Sequence, residues 1–309
     1  MQKMRAALAA AVGSVLAVAI AACGGSSNPV TPTGSPASGS SAPADTIVIG
    51  SANFQESTLL ANIYAEALKA KDVKVSTKLN IGAREAYIPG LQDGSIDLIP
   101  EYSGVLLQYF DKNATAVSSD DVYQALQSAL PANLIVLEQS QAQDKDSVTV
   151  TAATAGKYNL TSIADLTGHA GSLVFGGPPE FKTRPDGVPG LKRVYNVTFG
   201  QFRTLDAGGP LSVNALKNGQ VDAADIFTTD PSIEKNNFVV LQDPKNLYTA
   251  QNVLPLINKA KASQTVTSAL NAVSAKLDTT TLSELLARVY DKQDPNAVAK
   301  AWLAQVGLG

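Results

Sequence analysis

The chain has 309 residues, 45% hydrophobic and 17% charged, with a formal net charge of −3 at pH 7. Acids and bases are interspersed, so neither a basic stripe for a nucleic acid nor a charge block for an acidic partner is present. With one cysteine and one histidine, a disulfide framework and a Cys/His metal cluster are both excluded.

Lys3 and Arg5 precede an almost wholly apolar run, residues 6–22, interrupted by Gly13 and Ser14 and ending Ile20-Ala21-Ala22-Cys23-Gly24. Small residues beside a lone cysteine after such a run predict a signal peptide over residues 1–22 with a lipoprotein cleavage box. The alternative, a membrane-spanning helix, meets a run of about 17 residues, the short limit for crossing a bilayer. Cys23 would then be the mature N-terminus, and two or three acyl chains there would anchor it stably. Residues 24–44 are Gly, Ser, Pro, Thr and Ala with few exceptions, a composition that cannot bury a core. They read as a flexible tether of roughly 25 Å root-mean-square length.

Residues 45–309 suit two lobes better than one small core. A β-branched run predicts a strand over 46–50. A helix starts near Glu56, with Leu59, Leu60, Ile63, Ala67 and Leu68 on one face. A strand over 73–79 follows, then a helix carrying Tyr87, Ile88 and Leu91, a short strand over 96–99 and a helix over 102–110. Asp120 and Asp121 before Val122 read as helix-start charges. Later strands are expected over 134–137, 148–152, 173–175, 223–227 and 238–241, and helices over 262–276, 283–290 and 297–306. Alternation of this kind means α/β units with mainly parallel sheets flanked by helices.

One segment is echoed 125 positions later. Gly94-Ser95-Ile96-Asp97 and Gly219-Gln220-Val221-Asp222 each follow a helix end and lead into a short strand, and Tyr102 and Phe227 each lie eight residues past the glycine. Helix–Gly–strand units are common enough to recur by chance. A structural repeat would instead bring both rings to the C-terminal ends of strands, where α/β sheets bind ligands.

No catalytic set emerges. A Ser-His-Asp triad would have to be built on His169, which sits in a loop-like Thr167-Gly168-His169-Ala170-Gly171 context. The glycine-rich spots Gly176-Gly177-Pro178-Pro179 and Gly208-Gly209-Pro210 lack the lysine and hydroxyl of a phosphate cradle. A binding set does emerge. The 176–181 loop offers close backbone approach, and Arg184 after it has the planar fork that pairs with a carboxylate.

At these residues the sequence resembles the glycine betaine/carnitine/choline-binding proteins of osmoprotectant ABC importers. The likeness runs from Ile47 to Leu308. Its markers are Ile49-Gly50 with Asn53-Phe54; Asp97 with Glu101-Tyr102-Ser103-Gly104; the run 179–192, which holds Phe181, Arg184 and Asp186; Phe227-Thr228-Thr229-Asp230; and Tyr290-Asp291, Trp302-Leu303 and Gly307-Leu308. The resemblance implies a two-lobed, type II periplasmic-binding-protein fold joined by two crossing strands. Lobe I would be about 45–146 plus 251–309, and lobe II about 147–250.

The resemblance also implies an aromatic cage for a trimethylammonium head. Tyr102 falls on a cage tyrosine, Phe227 where a second tyrosine is usual, and Arg184 on the carboxylate-binding arginine. Ser147 and Gln251 stand where further cage tyrosines are expected, Val105 for a threonine and Ala52 for a lysine. With Asn53, Phe54 and Thr228 these form the expected ligand contacts. The implied function is that of a monomeric, extracytoplasmic binding protein without enzyme activity, cofactor or metal. It would be held to the cell membrane through Cys23 and would hand a small solute to ABC permease and ATPase subunits. Because cage rings are replaced, the solute is either an osmolyte of the glycine betaine, carnitine or choline type or a larger, more polar or aromatic compound. A surface sensor or interaction lipoprotein without a transport role is the alternative of another class.

Overall fold

The computed structural model describes residues 45–309, so the signal peptide, Cys23 and the tether lie outside the described residues. The fold starts with β1 (Ile47–Gly50), α1 (Gln55–Lys69), β2 (Val75–Lys78), α2 (Arg84–Asp93), β3 (Leu98–Tyr102), α3 (Ser103–Phe110), α4 (Ser119–Ala129) and β4 (Leu134–Val136). A second series follows: β5 (Val148–Thr151), α5 (Ala152–Tyr158), β6 (Val174–Gly177), α6 (Val188–Tyr195), β7 (Gln201–Thr204), α7 (Pro210–Lys217), β8 (Ala223–Asp225), α8 (Ser232–Lys235) and β9 (Phe238–Val240). Finally β10 (Val253–Asn258) precedes α9 (Gln264–Ser274), α10 (Thr279–Tyr290) and α11 (Pro295–Gln305).

Two five-stranded sheets result, ordered β2-β1-β3-β10-β4 and β7-β6-β8-β5-β9. In each, one strand (β10 or β5) runs antiparallel to both its neighbours, and the other four share a direction. The chain crosses from the first sheet to the second between β4 and β5 and returns between β9 and β10. The two crossing segments touch at an antiparallel bridge, Gln143 to Asn252.

Strand residues of the first sheet alternate between two cores, as the period-2 pleat requires. Ile49, Leu98 and Ile257 face a cluster with Leu59, Ile63, Leu270, Leu286 and Trp302 from α1, α9, α10 and α11. Ile99, Leu254 and Leu256 face a cluster with Ile88, Leu91, Leu106 and Val122 from α2, α3 and α4. In the second sheet Val148, Val150 and Phe175 pack with Leu191 and Tyr195 of α6, whereas Ala224 packs with Ala215 and Leu216 of α7.

The echo is structural. Gly94 and Gly219 both have positive φ (80° and 65°) just past α2 and α7. Asp97 N–H donates to Val48 O and its carboxylate accepts from Val48 N–H; Asp222 makes the same exchange with Val174. Each aspartate thus ties a new strand to the first strand of its parallel pair.

Three strands differ from expectation. β3 continues through Pro100 to Tyr102, so Tyr102 ends a strand rather than starting a helix. Pro100 lies opposite Pro255 of β10, a register in which neither missing N–H is needed by the facing strand. β10 itself was not anticipated, because its proline breaks the strand pattern, and neither was β7, whose burial is low and whose sequence carries Gln, Arg and Thr. His169 sits in an exposed loop against Tyr158, as its context suggested.

Candidate functional site

Phe54 follows β1, Tyr102 ends β3, Phe227 follows β8, and Arg184 follows β6 through a 3-10 turn at Pro179–Lys182. All four therefore come from C-terminal ends of parallel strands, where helices turn back and leave a crevice. Together they line one cavity of about 150 Å³ between the sheets. Phe54 is the central ring, 5.1 Å from Phe227 in an edge-on arrangement and 6.1 Å from Tyr102. Asn53 and Gln251 line the same cavity, with Ala52 and Val105. The Gln251 carboxamide oxygen accepts from Val105 N–H at 3.0 Å, which fixes that wall.

Ser147 and Thr228 fall outside the lining. The Ser147 hydroxyl is buried and donates to Ile226 O at 2.5 Å, and the Thr228 hydroxyl accepts from Lys145 N–H and donates to Asp144. Both hold strand ends together behind the rings.

The polar groups form three assemblies. In the first, the Tyr102 hydroxyl donates to Glu56 Oε1 at 2.7 Å and Thr229 Oγ1 donates to Glu56 Oε2 at 2.5 Å, joining the two sheets through one buried carboxyl. Burial pushes the Glu56 carboxyl up, against the pull of these two hydrogen bonds. The second is a buried pair at the cavity wall: Arg84 Nε and Nη2 donate to Glu101 Oε1 and Oε2 at 2.8 and 2.7 Å, and the Tyr87 hydroxyl adds a third bond at 2.7 Å. The third crosses the mouth of the cleft. Arg184 Nε and Nη2 donate to Glu85 Oε1 and Oε2 at 3.2 and 2.9 Å. The sequence expectation had this fork facing a ligand carboxylate; here a side chain of α2 fills it.

Five carboxyl side chains line the cavity: Asp144, Asp146, Glu180, Asp186 and Asp206. Burial raises Asp144 and Asp186 above the ordinary carboxylate range. Asp146 is pushed up to about 7 by burial first and by the charge of Asp186 next. Asp225, fully buried behind it, has no N–H or hydroxyl on either carboxyl oxygen. Burial first and the charge of Asp146 next raise it well above the ordinary carboxylate range. Arg84, Tyr87, Asp144 and Asp146 were not singled out from the sequence. Asp144 and Asp146 sit in Asp144-Lys145-Asp146-Ser147, which reads as an ordinary solvated turn. Asp186 lies inside the strongest family marker, which was the available signal.

An aromatic wall in a cavity that five carboxyl groups also line is suited to holding a cation. A model of the OpuAC family, the substrate-binding domain of ABC-type glycine betaine transport systems, matches residues 45–305. The chain belongs to this family. Family members are solute-binding components of ABC importers rather than enzymes, and so is this chain. The glycine-betaine-binding protein of Pseudomonas aeruginosa is 27% identical over 281 residues, covering 85% of this chain and 89% of that protein. The ergothioneine transport permease/ergothioneine binding protein EgtU of Helicobacter pylori is 25% identical, and the alignment covers 85% of this chain and 48% of that longer protein. The crystal structure of a glycine betaine/carnitine/choline ABC transporter protein superposes with a TM-score of 0.67 at 21% identity, covering 85% of this chain and 99% of that one. That match establishes the shared two-lobed, type II periplasmic-binding-protein fold.

Proposed function

We propose that this OpuAC-family protein captures a solute bearing a quaternary ammonium group and delivers it to its permease from outside the cytoplasm. The observation that carries this reading is the Phe54–Tyr102–Phe227 wall in a cavity that five carboxyl side chains and two arginines, each already paired to a glutamate, also line. Ring faces attract an alkylammonium cation by roughly 0.5–2 kcal/mol each, and the carboxyls supply the counter-charge. Asn53 and Gln251 complete the polar lining, and Arg184 borders the mouth. Cys23 would be the lipidated anchor and residues 24–44 the tether that holds a monomeric domain near the permease and ATPase subunits.

A longer solute is the second reading. A second chamber of about 450 Å³, lined by Glu85, Gln108, Tyr109 and Lys112, adjoins the first across Arg184 and would take the tail of a bulkier molecule. Calorimetric titration with tetramethylammonium, choline, glycine betaine and ergothioneine decides. Binding of the small cations supports the first reading, ergothioneine alone supports the second, and no heat from any at millimolar concentration ends both.

A further inference from the structure

The Arg184 guanidinium borders both chambers, and Arg84, Val105 and Asp186 do so with it. Glu85 lines only the outer one and reaches Arg184 from that side. Burial alone would raise the Glu85 carboxyl, but the Arg184 hydrogen bond and charge outweigh it and hold it below the usual range. We propose that Glu85 is a specificity-determining residue: its carboxylate occupies the Arg184 fork, so the cleft selects a quaternary-ammonium solute without a carboxylate over a zwitterionic betaine. The inference rests on the reading that the aromatic wall takes the ammonium head.

A guanidinium pairs a carboxylate best with two parallel N–H bonds. Arg184 spends its Nε and Nη2 edge on Glu85. Arg84, the other arginine lining the cavity, spends the same edge on Glu101. A solute carboxylate therefore finds the Nε–Nη2 edge of both guanidiniums taken, and the Nη1 side it could still reach belongs to a charge that Glu85 or Glu101 already neutralises. It would displace Glu85 or settle beside its negative charge, with Asp146 and Asp186 on the same wall. A solute carrying only positive charge meets none of these repulsions. The Glu85 side chain is 49% exposed, so solvent screens it and displacement is affordable. Discrimination should accordingly be about tenfold rather than absolute.

Calorimetric titration of the purified protein and of its Glu85→Gln and Glu85→Ala variants with tetramethylammonium, choline and glycine betaine tests this. In the unmodified protein choline should bind at least about tenfold tighter than glycine betaine. In both variants glycine betaine should tighten by about tenfold, while tetramethylammonium changes less than about threefold. The assignment is overturned if glycine betaine already binds as tightly as choline. It is equally overturned if the choline-to-betaine ratio is the same in all three proteins while tetramethylammonium still binds. Failure of all three proteins to bind tetramethylammonium or choline overturns the aromatic-wall reading, and the role of Glu85 with it.

Discussion

Phe227 shows how a single side chain is placed by its neighbours. Gly208 approaches it so closely that a Cβ there would lie 3.0 Å from the ring, and its φ is +63°, a conformation in which any other residue is strained. Gly208→Ala should therefore tilt the ring as well as strain the backbone. Truncation of the ring by Phe227→Ala removes one cation–π partner, worth roughly 0.5–2 kcal/mol, and should weaken tetramethylammonium binding by roughly 2- to 30-fold. Phe227→Tyr, which keeps the ring, should bind within about threefold of the unmodified protein. Equal losses for Ala and Tyr would show that the ring face is not what the solute touches. Phe227 was legible in the sequence because it lies eight residues past a glycine that also fixes the helix end. The partner of Arg184 was not. Glu85 is 99 positions away, and only the closing of one sheet over the other brings the two together.

Among the elements, β3 supports most of the site. It delivers Glu101 to Arg84 and Tyr87 of α2 and ends on Tyr102, while Pro100 faces Pro255. Arg84 and Glu101 are 7% and 0% exposed, so removing the carboxylate strands a buried cation. Glu101→Ala should lower stability by about 3–5 kcal/mol, read from urea unfolding of the ligand-free protein. Tyr87→Phe removes one of the four hydrogen bonds to the Glu101 carboxylate and should cost about 1–2 kcal/mol. A loss for Glu101→Ala no larger than that for Tyr87→Phe would show that Arg84 finds water or another acid. Strand–helix alternation was readable because β1 is a short, wholly buried β-branched run and α1 carries Leu59, Leu60, Ile63, Ala67 and Leu68 at helical spacing. The mixed character of both sheets was not, since the direction of β10 and β5 is set by where the chain crosses between lobes. No local pattern encodes that crossing.

On the scale of the molecule, charge and closure are coupled through the acids between the sheets. Asp146 faces Asp144 and Asp225 from its own sheet and crossing segment, and Asp186 and Arg184 from the loop after β6. Burial and the Asp186 charge carry it from 3.8 to about 7, with Arg184 pulling it back. A carboxyl raised in the folded state stabilises the fold most fully below its unfolded value. That contribution is lost as pH rises through the folded one, so the unfolding midpoint of the ligand-free protein should fall between about pH 4 and pH 7. Cation binding runs the other way. A bound ammonium favours ionised Asp146, so binding releases a proton and affinity rises with pH. One group titrating near 7 implies about tenfold tighter choline binding at pH 8 than at pH 6. The same titrations in two buffers of different ionisation enthalpy should show the released proton. Asp146→Asn, neutral throughout, should bind as the unmodified protein does at low pH and lose most of the slope. A slope unchanged in that variant would move the titration to Asp186 or Asp144, which burial lifts in the same direction.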